Sequence, residues 1–167
     1  MHFGLSQVFY QGGMIKSIAR HSEKVIERLA TEYPAVLIIG ARQTGKTTIL
    51  RKITEQKSVS YLSFDDPAEE LSAKNDAKTF IEFHQPPFMF NEIQYVQKLF
   101  RYLKIEIDEN RTNGMYYLTR SQKFHLMESA TESLSDRIGT VQFYPFSERE
   151  LLGDSFTEPF IPTKEYL

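Results

Sequence analysis

Apolar positions along the chain switch repeatedly between a helical and a strand-like period. Over residues 17–30, Ile18, Val25, Ile26 and Leu29 recur at helical spacing with Arg20, Lys24, Glu27 and Arg28 between them, which predicts an amphipathic helix. Pro34 separates it from the unbroken run Ala35, Val36, Leu37, Ile38, Ile39, read as a buried strand. Ile49, Leu50 and Ile53 then mark a helix beyond a glycine-bounded loop. Residues 59–64 alternate as a strand would and stop at Asp65-Asp66-Pro67. Helix formers fill 68–83, with Leu71, Ala77, Phe80 and Ile81 as the apolar positions, either as one helix or as two divided at Asn75-Asp76. After Pro86-Pro87, the short apolar run Phe88-Met89-Phe90 reads as a buried parallel strand. Val96, Leu99, Phe100, Leu103 and Ile107 mark one face of a further helix, which Asn113-Gly114 ends before a strand over 115–119. A helix is expected over 123–134 and a fifth strand over 140–144. The alternation predicts an α/β fold with a mostly parallel five-stranded sheet flanked by helices. The sequence holds no internal repeat and no low-complexity segment.

Composition narrows the classes. With 167 residues, 41% hydrophobic and 25% charged, the chain can build one domain with a core. Lys and Arg total 20 against 22 Asp and Glu, so no global positive field gathers nucleic acid or an anionic membrane, and nucleic acid is not indicated as a partner. The absence of cysteine excludes disulfides, thiol catalysis and Cys-ligated zinc, and makes the cytoplasm the expected location. His2, His21, His84 and His125 show no metal-ligand spacing. No apolar run approaches the ~20 residues that cross a bilayer. Residues 1–13 have neither the basic start nor the apolar stretch of a signal peptide. They are expected to form a flexible extension before a domain over 14–152, with 153–167 as a tail.

The most informative stretch joins the first strand to the next helix. Gly40, Ala41, Arg42, Gln43, Thr44, Gly45, Lys46 and Thr47 fill the pattern G-x-x-x-x-G-K-[ST], and Thr48 follows it within the expected nucleotide-binding stretch. Its glycines let backbone N–H groups curl around a β-phosphate, Lys46 reaches toward β- and γ-phosphates, and the Thr47 hydroxyl can ligate Mg²⁺. The following helix presents its positive end to the same phosphates. The alternative is a chance glycine-rich turn. ATP with Mg²⁺ is therefore the expected ligand.

The second chemical site is expected where the 88–90 strand ends. In P-loop ATPases an apolar strand beside the phosphate-loop strand ends in an Asp that holds Mg²⁺, and a following Glu can polarise the attacking water. Here the pair reads Asn91-Glu92. Glu92 stands in the position of the base and Asn91 in that of the metal carboxylate; the alternative is two polar residues capping a strand. With the metal strand lying between the fourth strand and the phosphate loop, Ser121 or Gln122 would face the γ-phosphate as a sensor, or else form an ordinary turn. Arg137 is open to two readings. It is either an arginine finger toward a γ-phosphate of its own or a neighbouring subunit, or a solvated charge before a strand.

With these residues in view, the chain resembles the ATPase domain of a prokaryotic AAA+-like family whose members usually continue into a C-terminal domain of unknown function. The resemblance is carried by residues 40–48, 61–67, 90–94, 118–122, 132–137 and 145–147. It implies an AAA+-like ATPase acting on ATP with Mg²⁺. Two positions depart from the family pattern: Asn91 replaces an Asp, and Arg120 replaces a Gly at the end of the fourth strand. Weakened hydrolysis is expected from Asn91, whose amide adds no charge at the metal. Arg120 is expected either to reach the γ-phosphate or to obstruct the pocket. The other reading is a hydrolysis-deficient binding switch, or a non-functional fragment lacking the downstream domain. A second copy or a separate protein is the partner either reading would use.

Overall fold

The computed structural model describes residues 7–10, 13–16, 18–121 and 134–153. The helix expected over 123–134 lies outside the described residues except for Leu134, and so do Gln122 and 154–167.

The chain divides into two compact units. The larger spans Ser22–Pro145 and runs α1 (Ser22–Glu32), β3 (Ala35–Gly40), α2 (Lys46–Thr54), β4 (Ser60–Ser63), α3 (Pro67–Asn75), α4 (Ala77–Phe83), β5 (Phe88–Asn91), α5 (Leu99–Glu109), β6 (Tyr116–Ser121) and β7 (Ile138–Phe143). Short 3-10 turns cover Ile93–Tyr95 and Ser135–Arg137. The five strands form one parallel sheet in the order β4-β5-β6-β3-β7. This order corrects the expectation that the metal strand adjoins the phosphate-loop strand. β6 lies between β5 and β3, paired with both.

The pleat sends alternate side chains to opposite faces. Val36, Ile38, Met89, Tyr117 and Val141 pack on one face with Ile26 of α1 and Ile49 and Leu50 of α2. Leu37, Phe88, Phe90, Tyr116 and Leu118 pack on the other with Phe80 of α4 and Phe100 and Leu103 of α5. All six residues of β3 are buried. A strand covered on both faces reads as an unbroken apolar run, which is why its position was evident from sequence. The 68–83 segment forms two helices: Asp66 caps α3 by accepting from Ala68 N at 2.9 Å, and Asp76 caps α4 by accepting from Thr79 N at 3.0 Å. Asp76 is thus a start signal, which decides between the two readings of this segment.

The smaller unit holds an antiparallel hairpin of β1 (Gln7–Tyr10) and β2 (Gly13–Lys16), with Val8 opposite Ile15, and α6 (Glu148–Leu152). The sequence reading assigned no strand to this hairpin, and α1 begins at Ser22 rather than near residue 17. Ser147 and Glu150 close a capping box at the start of α6. Burial alone would raise the Glu150 pKa, but hydrogen bonds from Ser147 N and His21 N and the charge of Arg20 hold it down to about 2.

Candidate functional site

Every strand of the sheet points its carboxyl end the same way, and the buried polar residues Lys46, Asn91, Glu92, Gln94, Thr119 and Ser121 collect there. Gly40 closes β3 in register with Ser121 of β6 and Phe143 of β7. A Cβ at Gly40 would lie 2.3 Å from the Phe143 carbonyl oxygen, so no side chain fits where the loop leaves the sheet. Gly45 sits at φ 92°, a left-handed conformation natural to glycine, and caps α2. The loop between them exposes Ala41, Arg42 and Gln43, half-buries Thr44, Gly45 and Thr47, and leaves Thr48 exposed. Thr44 Oγ1 donates to the Ala41 carbonyl at 2.9 Å, and Arg42 reaches the Tyr95 hydroxyl at 2.7 Å. The start of α2 leaves unsatisfied N–H groups facing this loop, an arrangement suited to an anion.

Lys46 is buried, 4% exposed, yet its ammonium is held by backbone oxygens of Gly40 at 3.2 Å and Ala41 at 2.8 Å. Glu92 Oε1 stands 3.8 Å from the same nitrogen. Desolvation lowers the Lys46 pKa below the ordinary lysine value and Arg42 adds to this, whereas Glu92 and Asp65 oppose it.

Asn91 ends β5, 5% exposed, at the centre of a hydrogen-bonded cluster. Its Oδ1 accepts from Thr47 Oγ1 at 2.6 Å and from Thr119 Oγ1 at 2.7 Å. Its Nδ2 donates to Ser63 Oγ at 2.9 Å and to Asp65 Oδ2 at 3.3 Å. These four contacts fix the amide's orientation. Glu92 follows in a left-handed conformation, φ 56°, that non-glycine residues seldom adopt. Its N–H donates to Thr119 Oγ1 at 3.0 Å, and its Oε2 accepts from Gln94 Nε2. Gln94 Oε1 in turn accepts from Ser121 N at 3.3 Å.

Lys46, Thr47, Asn91, Glu92 and Ser121 are thus brought to one end of the sheet. Arg137 is not brought there. It precedes β7, whose first residue pairs with Ala35 at the far end of β3, and it holds Asp108 through Nε at 2.6 Å and Nη2 at 3.1 Å. Six strand residues, roughly 20 Å, separate it from the loop of its own chain. Arg120 leaves β6 on the opposite face from Thr119 and Ser121, since the pleat alternates. The sequence reading gave no role to Ser63, Asp65, Gln94 or Thr119. Thr119 carried a usable signal, being a polar residue at a strand position that belongs to the core and is fully buried.

A parallel α/β sheet with a glycine loop between the interior strand β3 and the next helix, and with polar strand ends gathered around that loop, defines a P-loop NTPase domain. The family model described as an AAA domain matches residues 32–152, and the chain belongs to that family. Solved structures share the fold at low identity. The P-loop NTPase domain of the Sigma-54 transport activator from E. coli is 14% identical, with 77% of this chain and 100% of that chain covered and a TM-score of 0.50. A Walker-type ATPase of Pyrococcus abyssi is 16% identical, with 81% and 56% covered and a TM-score of 0.55. The Thermotoga maritima RuvB Holliday junction branch migration motor is 17% identical, with 80% and 48% covered and a TM-score of 0.52. The present chain therefore spans about half the length of the last two. No match to a curated protein sequence reaches significance. Among the described residues, no helix is long and apolar enough to cross a membrane.

Proposed function

We propose that this AAA domain binds ATP with Mg²⁺ at residues 40–48 and hydrolyses it slowly. The observation that carries this reading is the hydrogen bond from Thr47 Oγ1 to Asn91 Oδ1, 2.6 Å, with Glu92 3.8 Å from Lys46. It joins the loop to the end of β5 as a nucleotide site requires. Among the described residues no group of three His, Asp or Glu side chains is placed to hold a metal by itself. That suits Mg²⁺, which keeps several waters and is usually held by one or two protein oxygens together with substrate phosphates. Thr47 would be the protein ligand, its proton held by Asn91 and its lone pairs free. When bound, the ion would offset charge developing on the phosphate oxygens.

Lys46 would exchange its two carbonyl contacts for β- and γ-phosphate oxygens. Glu92 would orient and deprotonate the attacking water. Thr119, holding both the Glu92 N–H and Asn91, sets where that carboxylate stands. Asn91 conserves the acceptor that orients Thr47 but contributes no charge, so binding survives better than turnover, which needs charge offset as the phosphoryl oxygens gain it.

The test is calorimetric titration with ATP. Lys46→Ala is expected to weaken affinity at least tenfold, about 1.4 kcal/mol; equal affinities would overturn the assignment of the loop. The alternative reading, a binding switch without useful hydrolysis, is favoured by the same missing charge. Phosphate release at background level from an ATP-saturated protein would select it.

A further inference from the structure

The carboxylate missing at Asn91 has a neighbour that carries one. β4 and β5 pair in parallel with Ser63 opposite Asn91, so the segment leaving β4 passes the end of β5. Asp65 N donates to Ser63 Oγ at 3.2 Å, which folds the chain back at once, and Ser63 Oγ donates to Asp65 Oδ2 at 3.2 Å. The Asp65 carboxylate is thereby presented to the Asn91 amide, Nδ2 to Oδ2 3.3 Å. One amide and two hydrogen bonds span the gap from the Thr47 hydroxyl to this carboxylate.

The oxygen of Asn91 is already committed. It has two lone pairs and accepts two hydroxyl protons, from Thr47 and Thr119, so a metal-bound water finds no free acceptor on it. Its nitrogen is turned away toward Ser63 and Asp65. Glu92 is engaged by Lys46 and Gln94. Asp65 differs from both: its side chain lies at the exposed rim, a carboxylate has about four acceptor positions, and among the described residues its carboxylate accepts hydrogen bonds from Ser63 and Asn91 alone. Its charge is also felt at Lys46, whose protonated form it favours.

We propose that Asp65 is the acidic residue of the metal site. It accepts hydrogen bonds from Mg²⁺-bound water and supplies, from beyond the amide, part of the negative charge that Asn91 lacks, while Asn91 acts as a neutral bridge holding Thr47 on one side and Asp65 on the other. This rests on the nucleotide-site reading given above. It explains how an amide can occupy this position without disordering it, since each of its atoms has a partner. It also makes Asp65 a positioning residue for the metal's water shell and leaves the role of base to Glu92.

The experiment measures ATP affinity by calorimetry in Mg²⁺ and in EDTA, together with Mn²⁺ binding to the ATP-bound chain by electron paramagnetic resonance. The ratio of the two ATP affinities equals, by linkage, the preference of the metal for the complex. Asp65→Asn is expected to reduce that ratio and the Mn²⁺ affinity tenfold or more, with affinity in EDTA within twofold of the unaltered chain. The double variant Asn91→Asp, Asp65→Asn, which moves the charge to the strand end, should restore both. Unchanged Mn²⁺ affinity in Asp65→Asn overturns the proposal and leaves the nucleotide site standing, as does an equal loss of ATP affinity in EDTA, which marks Asp65 as a structural clamp. If Asp65→Asn does not fold, Asp65→Ser is titrated in its place, and failure of both to fold also overturns it. Absence of ATP binding to the unaltered chain is a separate result, since it removes the nucleotide-site reading itself.

Discussion

The two ends of the five-stranded sheet are built on opposite terms. At the amino end, Phe88 pairs in register with Tyr116, Phe88 stacks on Phe90 with centroids 4.7 Å apart, and His84 meets the Phe88 ring edge-on at 5.0 Å. A cavity of about 520 Å³ opens beside this end, lined in part by Pro86, Pro87, Met115 and Tyr117. At the carboxyl end the same strands finish in Ser63, Asn91, Thr119 and Ser121, three of them buried and each held by hydrogen bonds. One end buries area and asks little of direction. The other buries polar groups, each of which must be matched, because an unmatched donor or acceptor costs about 1–3 kcal/mol. Stability is thus concentrated at one end and geometry at the other.

The largest effect should come from the amino end. Phe88→Ala removes a ring that is 7% exposed and is expected to cost about 3–5 kcal/mol in urea unfolding, with ATP affinity of the folded fraction unchanged. A loss of affinity without a loss of stability would reverse the contrast. Next is Thr119→Val, which keeps the shape but strands the Glu92 N–H and frees one lone pair of Asn91. A cost of about 1–3 kcal/mol is expected, with kcat falling more than ATP affinity. If kcat and stability were both unmoved, the buried threonine would have no part in placing Glu92.

Asn91→Asp tests the carboxyl end from the other direction. Single-turnover hydrolysis should rise tenfold or more, equivalent to about 1.4 kcal/mol of barrier. The structure adds a condition that sequence did not. The new carboxylate would replace a donor 3.3 Å from Asp65 with a like charge, so the metal-free protein should lose stability as turnover rises. Turnover equal to that of the unaltered chain would clear Asn91 of responsibility for the proposed slow hydrolysis.

The contrast also explains what was legible beforehand. The phosphate loop is contiguous, so its pattern is read from one stretch: the left-handed turn at Gly45 is a local need, while the lack of room for a Cβ at Gly40 comes from Phe143 of β7. The strands facing two helical layers read as apolar runs, again within one stretch. The cluster around Asn91 joins residues 47, 63, 65, 91 and 119, which meet only because β4 pairs with β5 and β6 inserts between β5 and β3. Strand order in a parallel sheet is fixed by long-range packing, and no periodicity in a single strand reports it. The sequence reading placed the metal strand beside the loop strand, so Thr119 fell outside its view. The hairpin at 7–16 was missed because two four-residue strands give too short an alternation to stand out.

The smallest effect concerns a polar atom at the apolar end. Tyr116 is fully buried, and its hydroxyl has no hydrogen-bond partner among the described residues. Burial pushes the phenol pKa above its ordinary value, and the negative charge of Glu106 adds to this, so the group stays neutral throughout the working range. A neutral hydroxyl without a partner costs more than it returns, whereas the ring, 6.1 Å from that of Phe90, retains its packing when the oxygen is removed. Tyr116→Phe is therefore expected to stabilise the fold by about 1 kcal/mol, a rise of about 2–4 °C in Tm for a chain of this size. The missing oxygen leaves a gap smaller than a methyl group, which limits the loss. Thermal melts of the two proteins decide the matter. A fall in Tm of the same size would show that the hydroxyl is matched in solution, and the amino end would then carry a directional contact of the kind that the comparison assigns to the carboxyl end alone.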